Sequence, residues 1–133
     1  MFKVGIIGAT GYVGVELLRL LLNHDDVIVT AISSSTFKDE EISSVYRSFF
    51  NKTTLVCEDK SEVINKCDVI FTALPHGLSE EIAAEVISKN NEKMAKEALR
   101  VLACAYKEID HKPTKTELEN IEEDLTFIGM VGM

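Results

Sequence analysis

Two rhythms of apolar and polar positions alternate along the first two thirds of the chain. Residues 2–8 (FKVGIIG) form a short apolar run, rich in β-branched side chains and closed by glycine, which predicts a buried parallel strand. Residues 11–23 then place Val13, Leu17, Leu18, Leu20, Leu21 and Leu22 in a helical stripe, with Glu16 and Arg19 on the wetter side, until His24-Asp25-Asp26 breaks it. Residues 27–32 (VIVTAI) read as a second buried strand. Residues 33–51 hold no sustained period and are expected to be loop with a short helical piece near 40–46. A weak strand follows at 54–57, a short helix at 59–65 and a strong strand at 68–73 (DVIFTA). Ser79 is expected to cap a helix running to about Ser88, with Glu80 and Glu81 in the first turn, where negative charge suits the helix dipole. Strand alternating with helix at these lengths predicts an α/β fold with a doubly wound parallel sheet.

Beyond Asn90 the rhythm changes. Residues 94–109 (MAKEALRVLACAYKEI) read as a helix, because Ala98, Leu99, Leu102, Ala105, Tyr106 and Ile109 are spaced for one apolar face. That helix either continues the preceding one or packs separately. His111-Lys112-Pro113-Thr114 interrupts the pattern, residues 115–124 are polar and acidic enough for a short exposed helix, and residues 125–131 (LTFIGMV) read as a last strand. The expectation is one compact domain over 1–133. In it the C-terminal helix and strand complete the sheet, with 125–131 docked beside the fourth strand after a right-handed crossover.

Composition narrows the classes. With 133 residues, 46% of them apolar, the chain can bury a core without staples and is not disordered. A formal net charge of −8 argues against sequence-independent binding to nucleic acid or to an anionic membrane. No apolar run approaches the ~20 residues of a membrane helix, and the N-terminus has no signal-peptide pattern. The three cysteines, Cys57, Cys67 and Cys104, match no disulfide or zinc spacing, so a reducing cytoplasm is the expected setting and no metal site is expected.

The sharpest chemistry lies at residues 8–14 (GATGYVG), where the first strand turns into the first helix. Such a turn needs unusual φ, a pyrophosphate approaches closely only where no Cβ intrudes, and a helix N-terminus presents free N–H groups to an anion. This is the Rossmann arrangement; the competing reading is that the glycines merely shape a tight turn. An NAD site usually carries an acidic residue at the end of the second strand. Here Ser33, Ser34 and Ser35 stand there, with Lys38 close behind, and hydroxyls beside a cation suit a 2′-phosphate. NADP is therefore expected ahead of NAD, against the alternative that the serines only solvate a loop. Leu74-Pro75-His76-Gly77 follows the fourth strand at the carboxyl edge of the sheet, where ligands of such sheets bind. His76 is read as a pocket-lining residue rather than a catalytic base, since no carboxylate or nucleophile is matched to it.

The stretches GIIGATGYVGVELLRLL, AISSSTFK and DVIFTALPHGLSEEIA, in this order and spacing, resemble the N-terminal cofactor half of N-acetyl-γ-glutamyl-phosphate reductases, arginine-biosynthesis enzymes related in fold to the semialdehyde dehydrogenases. The resemblance covers residues 1 to about 90. It implies NADP held by Gly8, Thr10, Gly11, Tyr12, Val13 and Gly14, with Ser33, Ser34 and Ser35 near the adenosine phosphate and Ala73, Leu74, Pro75, His76 and Gly77 nearer the nicotinamide. The Lys38-Asp39 pair departs from the Gly-Lys usual there, and an acidic Asp39 would weaken the 2′-phosphate subsite. That family uses a cysteine nucleophile in a Gly-Cys-Tyr-Pro context, assisted by a later histidine. Neither context occurs here: Cys57, Cys67 and Cys104 read as core or structural thiols and His111 as solvated, so no catalytic residue is assigned and the chain is expected to bind only.

Residues 91–133 resemble instead cation-transporting P-type ATPases at the junction of their nucleotide-binding and phosphorylation domains, with LTFIGMVGM after an acidic segment as the specific stretch. The resemblance implies a phosphate contact for Arg100, which otherwise reads as one half of a surface ion pair. Two families then meet near Asn90-Asn91, which implies a chimera. The alternatives to a cofactor-binding module are a structural chimera without function and an ATP-binding remnant. The expected partners are a nicotinamide dinucleotide and, through bare sheet edges, a second copy of the chain.

Overall fold

The computed structural model describes residues 1–75, 77–108, 110 and 123–133. His76, His111 and nearly all of the helix expected at 115–124 lie outside the described residues. The chain groups into two compact units, Met1–Ala84 and Glu85–Met133, where the sequence predicts one.

In the first unit, β1 (Phe2–Ile7) leads through a four-residue turn into α1 (Tyr12–Leu21), followed by β2 (Val27–Ser33). A one-turn helix α2 (Ile42–Val45) and a 3₁₀ turn (Arg47–Phe49) precede β3 (Cys57–Glu58), α3 (Lys60–Lys66) and β4 (Val69–Thr72). The sheet order is β3-β2-β1-β4, with every neighbour parallel. The doubly wound, Rossmann-like sheet is thus present, with its order reversing between β1 and β4.

β1 lies inside the sheet, which is why its residues from Val4 on are apolar: Val4, Ile6 and Ile7 are buried, while Phe2 and Lys3 at its start are exposed. Ile6 and Ile32 of the sheet meet Leu18 of α1, Ile42 and Phe49 from the β2–β3 connection, and Cys57, forming the main core. On the opposite face α3 comes so close to β1 that a Cβ on Gly5 would collide with Val63 and lie 2.8 Å from Cys67 Sγ. Asp59 caps α3, its Oδ1 accepting the Ser61 amide at 3.0 Å. β4, read from the sequence as a strong strand, is the edge strand, and Val69 and Phe71 remain 41% and 38% exposed.

The C-terminal third departs from expectation. α4 (Leu78–Lys96) starts in the first unit and ends in the second. Its first turn contains Ser79 rather than being capped by it, and it runs eight residues past Ser88. It stops where Ala98 takes a left-handed conformation (φ 60°), with the Ala98 amide donating to Ala95 O at 3.0 Å and the Leu99 amide to Met94 O at 3.1 Å. This is a Schellman closure with alanine in the position glycine usually takes.

The helix expected over 94–109 therefore holds only as far as Lys96. Residues Val101–Tyr106 form β5, paired antiparallel with β6 (Thr126–Gly132). The last strand is real, but it does not dock beside β4: β5 and β6 make a separate two-stranded sheet. The parallel crossover is overturned because VLACAY finds its hydrogen bonds in the 126–132 strand. Cys104, placed in a helix by the sequence, lies exposed on β5. Among the described residues no helix is long and apolar enough to cross a membrane, and no cluster of His, Cys, Asp or Glu could hold a metal ion.

Candidate functional site

The site is built where the carboxyl ends of the parallel strands converge. Gly8 follows β1 with φ +88°, and a Cβ there would lie 2.5 Å from Ala73 O, so the glycine lets the β1 and β4 ends approach each other. The amides of Gly8 and Ala9 both donate to Ser33 O, at 3.0 and 2.9 Å, and the Gly11 amide donates back to Gly8 O at 3.2 Å. Tyr46 donates its hydroxyl to Thr10 O at 2.7 Å, while Thr10 Oγ1 and Ser34 Oγ are 2.7 Å apart. Ser34 Oγ also accepts the amides of Thr36 and Phe37, at 3.3 and 3.2 Å. The glycine turn, the end of β2 and the loop after it thus form one hydrogen-bonded frame.

That frame borders a cavity of about 680 Å³. Of the residues expected to bind a cofactor, Gly8, Thr10, Gly11, Ser33, Ser34, Ser35, Lys38, Ala73 and Leu74 line it. Gly14 is buried inside α1, and Tyr12 and Val13 are exposed on its first turn, away from the cavity wall. Pro75 and Gly77 are exposed and also off the wall, and His76 lies outside the described residues. Ser33 and Ser34 are buried and engaged in the frame, leaving Ser35 as the exposed serine on the wall.

The glycines have different reasons. A Cβ on Gly14 would run into Gly8 O and lie 2.7 Å from Ala9 Cα, so that glycine is demanded by helix-to-loop packing. Gly11 has an ordinary extended backbone (φ −75°, ψ 164°), and a Cβ there would meet nothing among the described residues nearer than 3.5 Å. Nothing among the described residues requires Gly11, yet it sits on the cavity wall as the cap of α1, with no side chain to occupy the first-turn amides. A Cβ would fill space that a diphosphate needs. The residues fit a dinucleotide, and the reading in which glycines merely shape the turn accounts for Gly8 and Gly14 but not for Gly11.

The sequence did not single out Thr36, Phe37, Glu58, Asp59, Lys60, Glu81 or Ile82 on the wall. Glu58 and Asp59 enter because β3 runs parallel beside β2, so its carboxyl end opens on the same crevice. Asp39, expected to weaken a phosphate subsite, does not line the cavity; the acid facing Lys38 is Asp59, with Lys38 Nζ 3.4 Å from Asp59 Oδ2. The Ser61 amide and hydroxyl first, and then Lys38, hold the Asp59 carboxyl below its ordinary range. Glu58 is engaged by Lys66 at 2.6 Å. None of the three cysteines lines the cavity, and burial is the main cause raising the Cys57 and Cys67 thiols.

A parallel doubly wound sheet whose cavity lies beside a glycine turn and a helix N-terminus defines a dinucleotide-binding domain. The sequence matches the family described as "Semialdehyde dehydrogenase, NAD binding domain" over residues 3–95, and the chain belongs to that family. It is 61% identical over 90 residues to the N-acetyl-gamma-glutamyl-phosphate reductase of Clostridium botulinum (strain Eklund 17B / Type B), covering 68% of this chain and 26% of that protein. The Clostridium beijerinckii reductase is 62% identical over 87 residues, covering 65% of this chain and 25% of that protein. Among solved structures, aspartate semialdehyde dehydrogenase with NADP from Candida albicans matches with a TM-score of 0.56 and 25% identity, covering 65% of this chain and 27% of that one. The chain spans about a quarter of the length of the curated relatives it matches. The family match ends at residue 95, and none of these matches supports the P-type ATPase resemblance of residues 91–133 or the chimera it implied.

Proposed function

We propose that the first unit is the NADP-binding part of an N-acetyl-γ-glutamyl-phosphate reductase of arginine biosynthesis, acting in the cytoplasm. The observation that carries this reading is Gly11, a helix-capping glycine that packing does not require, on the wall of a cavity of about 680 Å³. The named reductases, more than 60% identical over this region, support it. In this reading the turn from Gly8 to Gly11 and the first amides of α1, among them those of Tyr12, Val13 and Gly14, receive the pyrophosphate. Ser35 and Lys38 take the adenosine 2′-phosphate, while Ser33 and Ser34 hold the loop that presents them. Ala73 and Leu74, with Pro75, His76 and Gly77 following, border the nicotinamide end. The bound cofactor supplies hydride to an acyl group; this chain's residues bind and orient it, and no cysteine among the described residues reaches the cavity to serve as nucleophile.

The ATP-remnant reading is not favoured, because Arg100 lies beyond the matched residues, with its backbone exchanging hydrogen bonds of 2.7 and 3.0 Å with Met133. A second copy of the chain would add to the sheet at β4, the edge where Phe71 and Val69 are exposed. Titrating the purified chain with NADPH tests the cofactor reading through nucleotide fluorescence. Saturable binding below millimolar cofactor is expected, and no saturable change at millimolar NADPH would overturn it.

A further inference from the structure

The pair at the rim of the cavity has a feature that neither folding nor the family match accounts for. Asp59 divides its two oxygens between two tasks. Oδ1 receives the Ser61 amide and hydroxyl, both at 3.0 Å, and so caps α3. Oδ2 is turned to Lys38 Nζ at 3.4 Å, on the cavity side, since both residues line it. The side chains are 55% and 49% exposed, so the ion pair adds little to stability, and the cap does not use the oxygen that faces Lys38. The neighbouring acid, Glu58, is drawn to Lys66 instead, with Lys66 also 3.5 Å from Glu62. Lys38 is thus the cation that Asp59 holds at the rim, beside the exposed Ser35.

We propose, on the reading of this cavity as a dinucleotide site, that Asp59 is a positioning residue that limits the preference for NADP over NAD by competing with the 2′-phosphate for Lys38. A monoester phosphate carries between one and two negative charges near neutral pH. To engage it Lys38 must leave or share Asp59, and the carboxylate then stands beside a like charge. NAD presents only a hydroxyl at that point and is indifferent to both effects. Asp59 therefore acts on one cofactor and not on the other, which a merely structural cap would not do.

The test is a pair of titrations, NADPH and NADH, on the full chain and on Asp59→Asn. Asparagine caps a helix as well as aspartate does, so the substitution removes the charge and keeps α3. NADPH should bind about two- to fivefold tighter to Asp59→Asn, the range open to an exposed ion pair, with NADH changed by less than that. Lys38→Gln should weaken NADPH and leave NADH unmoved. Asp59→Ala, which loses the cap, should melt lower yet shift the NADPH-to-NADH ratio as the asparagine does. If the ratio moves in Asp59→Ala but not in Asp59→Asn, Asp59 is a cap only and the inference falls. If both nucleotides bind and neither variant moves the ratio, the inference alone is overturned. If neither nucleotide saturates the unaltered chain, the dinucleotide reading fails, and the inference with it.

Discussion

Gly11→Ala and Gly14→Ala add the same methyl three residues apart, and the geometry predicts opposite consequences. At Gly14 the new Cβ would run into Gly8 O and lie 2.7 and 2.9 Å from Ala9 Cα and C, all backbone atoms of the turn. Overpacking of this kind costs about 1–3 kcal/mol, and replacing a helical glycine, here in the first turn, returns at most about 1 kcal/mol. The net loss is about 0–2 kcal/mol, toward the upper end because the obstructing atoms are backbone, and a domain of this size loses roughly 4–8 °C in Tm for each kcal/mol. At Gly11 the nearest atom of the described residues would be 3.5 Å from the new Cβ, and the backbone is ordinary for alanine. Reduced freedom of the unfolded chain gives back about 0.4–1 kcal/mol, against a poorer cap costing about as much. Gly11→Ala should therefore melt within a few degrees of the parent. Its NADPH affinity should fall by about tenfold or more, since one hydrogen bond to a charged oxygen is worth about 1.5–3 kcal/mol. Thermal unfolding by circular dichroism and NADPH fluorescence titration read the two effects separately. Equal losses of Tm in both variants, or undiminished NADPH binding by Gly11→Ala, would refute the assignment of different roles to the two glycines.

Tyr46→Phe removes the hydroxyl that donates to Thr10 O at 2.7 Å; urea unfolding should show a loss of about 0.5–1.5 kcal/mol, and an unchanged midpoint would mean the bond is not formed in solution. Ala98→Gly should stabilise the helix end, since a left-handed alanine costs about 1–2 kcal/mol and the added freedom of the unfolded glycine returns only part of it. Slower amide exchange over Val101–Tyr106 would register the gain, and faster exchange would contradict it. Cys104 should react first with a thiol reagent near neutral pH, because it is exposed while Cys57 is buried and Cys67 half-buried. Desolvation raises both inner thiols, helped by Glu40 at Cys57 and by Asp68 at Cys67. They stay protonated in the native state when unfolded thiols ionise, so stability should decline as pH climbs above about 8.5. Urea midpoints that rise over that range would reverse the sign.

The first unit was legible because its elements are stated locally. β1, α1, β2 and β4 each carry a period strong enough to place them within two residues, and Asp59 announces α3 as a cap. β5 was not legible, for two physical reasons. Residues 98, 99, 102, 105 and 106 satisfy a helical stripe as well as a short strand, and such a run is decided by its partner. That partner is β6, with Tyr106 opposite Thr126 and Val101 opposite Gly132, a pairing no local signal contains. The helix also ends at Ala98, the residue type with the highest helix propensity, in a left-handed conformation usually marked by glycine. Within the site the glycine turn and the serines could be read, but the acid beside Lys38 was sought one residue along the chain, at Asp39. Parallel pairing of β3 with β2 brings it instead from Asp59.

The three serines are identical in the sequence, but their work in the fold is not. Ser33 presents its carbonyl to two amides of the glycine turn, and Ser34 Oγ joins Thr10 to the amides of Thr36 and Phe37. Both are buried, so a hydroxyl count overstates the donors open to an adenosine phosphate. Their commitment fixes the turn and the loop before any ligand arrives, which lowers the entropy lost on binding. Discrimination then falls to wall residues outside that frame, among them Ser35, which is exposed, Lys60, and Lys38, held at the rim by Asp59. The frame explains why a dinucleotide fits, and the proposed choice between its two forms turns on Lys38 and the Asp59 carboxylate that competes for it.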